Sequence, residues 1–451
     1  MNIISTNPYN NEEVATIKAF NLNEIEDTLS LAQETFLQWR TTSFTERAEH
    51  LNNVALELEK NKADYAKTMT LEMGKPISQA IAEVEKCAWV CRYYADNAPD
   101  HLAPKTIETD ATKSYVRYEP IGVVLAVMPW NYPFWQVFRF IAPALMAGNI
   151  GVLKHASNVM QSAQNIQRVF ERAGLPKGVF QNMPVGSDRI ENIVRDARIK
   201  AITLTGSKPA GAAVASTAAS EIKKSVLELG GSNALLVFND CDFEQTVTTC
   251  VQARFQNTGQ SCIAGKRLLL HDKVYDKFMD AFAKAVTQLK SGDPLDKDTY
   301  IGVMAREDLA IELEEQLKAT VDAGAKVLVG GHRQKAYFEP TIVTGVTPEM
   351  SIFKEETFGP VIGVTCFTDD QEAVDLVNQS DFGLGVSIFT QDTARIEKLI
   401  PLFDDGAVFV NDMVKSNPNL PFGGTKISGY GRELSLDGIQ EFVNKKTVYI
   451  K

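Results

Sequence analysis

The chain reads as an α/β protein of two large units, and three observations lead there. Strand-like runs alternate with helical stretches over most of its length, the pattern of parallel sheets covered by helices. Its 451 residues are too many for one ordinary core. No low-complexity linker divides it, so the units are expected to pack closely.

The elements follow in order. Asn23 with Glu26, and Ser43 with Glu46, each have the spacing of a helix-capping box. Ile25, Leu29, Ala32 and Phe36 fall on one face of the first helix, and Ala48, Leu51, Val54 and Leu58 on one face of the second. A third helix is expected over 79–96. Residues 114–119 read as a short strand and 122–128 as a buried one. A helix over 161–173 stops at Gly174 and Pro176. A strand over 201–205 leads into a small-residue helix from Lys208, and 226–238 contains another strand. Helices are expected over 243–255, 274–289, 309–321, 371–378 and 392–402, with strands over 326–329, 385–389 and 406–410.

Composition excludes several roles. A formal net charge of -11 disfavours nucleic-acid binding, though not a local basic pocket. The longest apolar stretches are too short for a membrane span. The opening residues show no basic-then-apolar signal pattern, so no signal peptide is expected. The six cysteines form no zinc-type pair and are too few for a disulfide framework, which suits a cytoplasmic setting. Cys87 and Cys91 share a helical face and read as core.

Four segments carry the chemistry: Pro129-Trp-Asn-Tyr-Pro133, Leu227-Glu-Leu-Gly-Gly231, Asn257-Thr-Gly-Gln-Ser-Cys262 and Glu355-Glu-Thr-Phe-Gly-Pro360. Each is weak alone. Together, in this order, and with Pro421-Phe-Gly-Gly424 and Gly429-Tyr-Gly-Arg432, they resemble the aldehyde dehydrogenase superfamily over nearly the full chain. The resemblance implies a variant Rossmann cofactor domain, an α/β catalytic domain and a small β oligomerisation element. These are expected over 1–112 with 129–229, 230–420, and 113–128 with 433–451 respectively. A homodimer or homotetramer is implied.

The implied reaction oxidises a small-molecule aldehyde to the acid. Cys262 is the nucleophile, since a thiolate adds to a carbonyl and later leaves from a thioester. The Asn131 amide and the Cys262 N–H form the oxyanion hole. Glu228, flanked by Leu227 and Leu229, should have a raised pKa suited to a general base. Gly259 and Gln260 are read as letting backbone approach the substrate.

The cofactor is NADP or NAD, and no GxGxxG fingerprint is present, as the family would have it. Gly206 and Ser207 open a helix toward the pyrophosphate. Lys154 matches the lysine at the adenine-side ribose, Glu356 the glutamate at the nicotinamide ribose, and Trp130 and Phe358 line the site. Ser157 stands where many members carry a glutamate that repels a 2′-phosphate, so NADP should be accepted, with His155 as a further attraction.

Arg139 lies in an apolar helix and needs an anionic partner. That partner is either a structural carboxylate or the distal carboxylate of an acidic aldehyde. The second reading resembles succinate-semialdehyde dehydrogenases, with Arg254 and Ser416 as further carboxylate contacts. Other members carry a second arginine where this chain has Gln256. No metal site is expected. The alternatives are another small aldehyde, a coenzyme A-acylating relative and a non-catalytic relative.

Overall fold

The computed structural model describes residues 2–451. Helices cover the N-terminal part as expected, with one shift and one addition. The first runs Leu22–Trp39 and is capped two residues early: the Asn21 side chain accepts the Asn23 and Glu24 amides, and Glu24 returns a bond to the Asn21 N–H. Asn23 therefore lies in the first turn. The buried face is the expected one, because the 3.6-residue period fixes it whichever Asn caps. Ser43 and Glu46 cap Phe44–Lys60 as read from sequence. An additional helix, Lys62–Met73, precedes the long helix Ile77–His101. Cys87 and Cys91 are in the core.

A six-stranded sheet forms the first unit, in the order Gly429–Tyr430, Lys224–Glu228, Ile199–Thr205, Val123–Met128, Ile150–His155, Phe180–Asn182. All neighbours are parallel except the first pair. Val123–Met128 is thus a central strand here. It does not belong to the oligomerisation element that 113–128 was expected to form. Its almost wholly apolar sequence suits a site buried on both faces, which an exposed ribbon would not provide.

The second unit is a seven-stranded sheet ordered Lys326–Val329, Thr341–Thr344, Val361–Phe367, Gly265–His271, Asn233–Val237, Val386–Phe389, Val408–Val410. Along Asn233–Val237, Ala234 and Leu236 face one apolar cluster while Leu235 and Val237 face another, so both faces of the sheet are covered. The region 226–238 holds two strands, one in each sheet. The turn between them carries the chain from one unit to the other.

Lys113–Pro120 pairs antiparallel with Val443–Ile450 along its whole length. The pairing joins parts of the two segments expected in the small β element. Residues 435–441 form a helix instead. Among the described residues no helix is long and apolar enough to cross a membrane.

Candidate active site

Cys262 follows a strained turn. Asn257, Thr258 and Gly259 are all left-handed, with φ of 56°, 53° and 72°. Two of the three are not glycine, so the conformation must be imposed from outside. Gln79 Oε1 accepts the Asn257 N–H at 2.6 Å, and Asn257 Nδ2 donates to the carbonyls of Asn131 and Gln260 at 2.9 and 3.0 Å. Thr258 Oγ1 accepts the Gly302 N–H at 3.1 Å, and Gln260 Oε1 the Ala305 N–H at 2.9 Å. A Cβ on Gly259 would stand 2.5 Å from the Gly359 carbonyl oxygen. The glycine lets this turn pass the 356–360 loop.

The turn sets Cys262 in the wall of a cavity of about 480 Å³. Burial pushes its thiol up to about 11, against the pull of Arg139 and Lys266. Asn131 is buried beside the same turn. Its Nδ2 donates to the Gln260 carbonyl at 3.1 Å and its Oδ1 accepts from Gln136 Nε2 at 2.9 Å. One amide hydrogen of Asn131 remains uncommitted.

Glu228 ends the strand Lys224–Glu228, and its backbone carbonyl accepts the Gly206 N–H at 3.0 Å. Neither carboxyl oxygen has a hydrogen-bond partner among the described residues. Burial, reinforced by the charge of Glu433, holds the carboxyl far above the ordinary carboxylate range, as its place between two leucines predicts. A Cβ on Gly423 would lie 2.9 Å from Glu228 Oε1, so this glycine leaves the carboxyl its space.

Arg139 reaches the cavity, but its charge is answered within the chain. It forms an ion pair with the buried Glu433, donates to Thr205 Oγ1 at 3.1 Å and lies over Phe422 at 4.8 Å. Glu433 thus supplies a structural carboxylate for Arg139, which also lines the cavity. Arg254 is placed elsewhere. It is fully buried away from the cavity wall and donates to the carbonyls of Thr357 and Gly359, holding the 356–360 loop. Ser416 does face the cavity.

Of the residues expected at the dinucleotide, Lys154, Gly206 and Ser207 lie at or just beyond the carboxyl ends of strands in the six-stranded sheet, while Glu356 and Phe358 lie in the loop that precedes Val361–Phe367. Gly206 and Ser207 join Ile199–Thr205 to the helix Lys208–Ser220. The Gly206 N–H is already committed to Glu228, but Ser207 makes no side-chain cap, so the helix start stays open to a phosphate. Lys154, next to last in its strand, is half-buried and without an ion pair among the described residues, its pKa lowered by burial alone. Ser157 is exposed. Trp130 packs edge-on against Phe358 at 5.5 Å. Glu356 accepts from Lys266 Nζ at 2.6 Å and from the Gly231 N–H at 3.0 Å. The open helix start and the unpaired lysine fit a phosphorylated dinucleotide. His155 does not contribute to it. The ring is buried, bonds the Pro133 carbonyl at 2.9 Å and is held neutral, burial pulling it down to about 4.

The model of the aldehyde dehydrogenase family matches residues 1–448. The chain belongs to the aldehyde dehydrogenase family. It is 49% identical over its full length to the whole of a probable NADP(+) succinate-semialdehyde dehydrogenase of Synechocystis sp.. It is 45% identical, again over both full lengths, to an NADP(+) succinate-semialdehyde dehydrogenase of Mycobacterium leprae. Among solved structures, succinic semialdehyde dehydrogenase from Streptococcus pyogenes, in complex with NADP+ as the cofactor, superposes with a TM-score of 0.97 at 35% identity over 99% of each chain.

Several residues of this aldehyde dehydrogenase site escaped the sequence reading. Gln79 and Asn257 brace the cysteine turn, and Lys266 fixes Glu356. Glu83, paired with Lys75, accepts the Phe134 and Trp135 amides at 2.9 and 3.0 Å and so fixes the segment beyond Asn131. The i, i+3, i+4, i+7 spacing of Gln79, Ala82, Glu83 and Lys86 marks one helical face. Its polar members were a signal that this face meets something other than plain core.

Proposed function

We propose that this aldehyde dehydrogenase oxidises succinate semialdehyde to succinate with NADP, through a thioester on Cys262. The observation that carries the reading is a cavity-facing thiol just beyond a strained turn, a buried amide donor bonded to that turn, and a buried carboxyl free of partners whose charge reaches the thiol. The substrate and cofactor named for the similar full-length relatives support the rest.

The thiol gives its proton to solvent water as sulfur adds to the aldehyde carbon. The oxygen becomes an alkoxide, for which the free Asn131 N–H and the Cys262 N–H are the donors. When bound, the nicotinamide supplies the acceptor for the hydrogen and two electrons that leave this carbon. The resulting acyl group stays on Cys262. Glu228, once ionised, takes a proton from the water that attacks the thioester; sulfur leaves as thiolate and takes that proton back from Glu228, so that succinate and the free thiol result. Lys154 and the hydroxyl of Ser157 stand for recognition of the 2′-phosphate, with no carboxylate at 157 to oppose it. Cys262→Ala should abolish NADPH formation while NADP binding persists; residual turnover above a trace would remove Cys262 from the chemistry. The chain is further read as a cytoplasmic homodimer or homotetramer joined through the strand Val443–Ile450, which sedimentation of the purified protein tests.

A further inference from the structure

One buried ammonium touches both the nucleophile segment and the cofactor loop. Lys266 is the second residue of the strand Gly265–His271, and its side chain is wholly buried. Its three N–H groups meet three acceptors: the Cys262 carbonyl at 3.1 Å, Glu356 Oε1 at 2.6 Å and the Gly231 carbonyl. The centre of the Phe358 ring lies 5.5 Å away. Among the described residues Glu356 is the only carboxylate within ion-pair reach of Lys266.

Two glycines make this meeting possible. A Cβ on Gly231 would stand 2.6 Å from the Cys262 carbonyl oxygen, and one on Gly230 would strike Glu356 Oε2. Glu356 Oε1 is committed inward, because it also accepts the Gly231 N–H at 3.0 Å. Oε2 accepts nothing among the described residues and is left for a ligand hydroxyl. At the thiol the two charges oppose each other. Lys266 draws the proton off, as Arg139 does, whereas Glu356 and Glu228 hold it on, and burial outweighs them all.

We infer that Lys266 is a positioning residue that ties the nucleophile to the cofactor grip: it fixes the Cys262 backbone and commits Glu356 Oε1, which leaves Oε2 for the nicotinamide ribose. The inference rests on the reading that puts the nicotinamide ribose at Glu356. The reacting carbon is carried on Cys262, so its spacing from the nicotinamide matters, and a shared anchor sets that spacing. Because one ammonium serves both groups, a change at the carboxylate is felt at the thiol, and the reverse.

The test reads Cys262 alkylation by iodoacetamide near neutral pH, resolved by peptide mass, with the exposed Cys366 as internal reference. It is run without cofactor on the wild type, Lys266→Met and Glu356→Gln. We expect roughly tenfold slower alkylation of Cys262 in Lys266→Met and roughly tenfold faster in Glu356→Gln, where the ammonium loses its opposing charge, with Cys366 unchanged in both. NADP binding by titration should weaken about tenfold in Lys266→Met, and Lys266→Met should add little once Glu356→Gln is present, since the lysine acts through the carboxylate. Shifts of Cys262 in the same direction in both variants, no shift in either, or fully additive losses of NADP binding would overturn the inference. NADP binding unchanged in Glu356→Gln, with both alkylation shifts intact, would overturn the ribose placement and spare the tie to Cys262. Should Lys266→Met fail to fold, the direction of the Cys262 shift in Glu356→Gln decides alone.

Discussion

The nucleophile and the base are held in opposite ways. The Cys262 turn is over-determined: three left-handed residues are locked by Gln79, Asn131, Gly302, Ala305 and the close pass of Gly359. The Glu228 carboxyl is buried with no hydrogen-bond partner at either oxygen. The difference follows from the work proposed for each. A nucleophile gains from a fixed attack geometry, where small displacements are costly. A base for water gains from a raised pKa, and a locked ion pair would depress it.

The largest effect is expected where the unpartnered carboxyl is disabled. Glu228→Gln should slow steady-state turnover by about 10²–10⁴-fold, the range of general-base catalysis. A first burst of NADPH should survive, with the acyl group detectable on Cys262 by intact-mass spectrometry. No burst and no adduct would place Glu228 before the thioester and break the contrast.

Breaking the locked side should act on stability as well as rate. Gly259→Ala puts a Cβ against the Gly359 carbonyl at a left-handed position, and a loss of about 1–3 kcal/mol is expected by denaturant unfolding, with activity lost in parallel. Asn257→Ala removes two side-chain bonds under the turn and should cost about 1–3 kcal/mol with a raised KM, unlike Glu228→Gln, whose fold should stand.

Titration separates the two groups further. The free Cys262 thiol should react with iodoacetamide at a rate that climbs with pH toward a midpoint of about 11, since the thiolate is the reactive form. Glu228 has a folded-state pKa raised above its unfolded value, so the folded protein binds the extra proton. Its contribution to stability is therefore best at low pH and is lost as pH rises from the ordinary carboxyl range through the folded pKa. Glu228→Gln should flatten that part of the stability–pH curve. The smallest effect concerns cofactor choice: Ser157→Glu should move the NADP-to-NAD preference by about tenfold, the scale of one charge-assisted contact, read from kcat/KM with each dinucleotide.

Much of this was legible in the chain as written. Local patterns carried the Ser43 cap, the helix Phe243–Phe255 and the strand Lys326–Val329 with their bounds. The strand Gly265–His271 went unread because Lys266 and Arg267 open it. Both are buried, which composition cannot foresee: Lys266 is paired with Glu356, and Arg267 donates to the carbonyls of Ser232, Leu376 and Val377. The anomaly of Arg139 was visible, since a guanidinium in an apolar helix requires an anion. Which anion was not, because Glu433 sits far along the chain and only the folded sheet brings it there.

By itself, then, the sequence determined the α/β class and singled out Cys262, Asn131 and Glu228, because periodicity and chemistry-bearing segments are local. The tertiary structure decided the charge pairing. It tied Arg139 to Glu433, took Arg254 out of the cavity and His155 out of the cofactor site, and joined Lys266 to both Cys262 and Glu356. Electrostatic partners are chosen by proximity and burial in the fold, and no spacing along the chain encodes them.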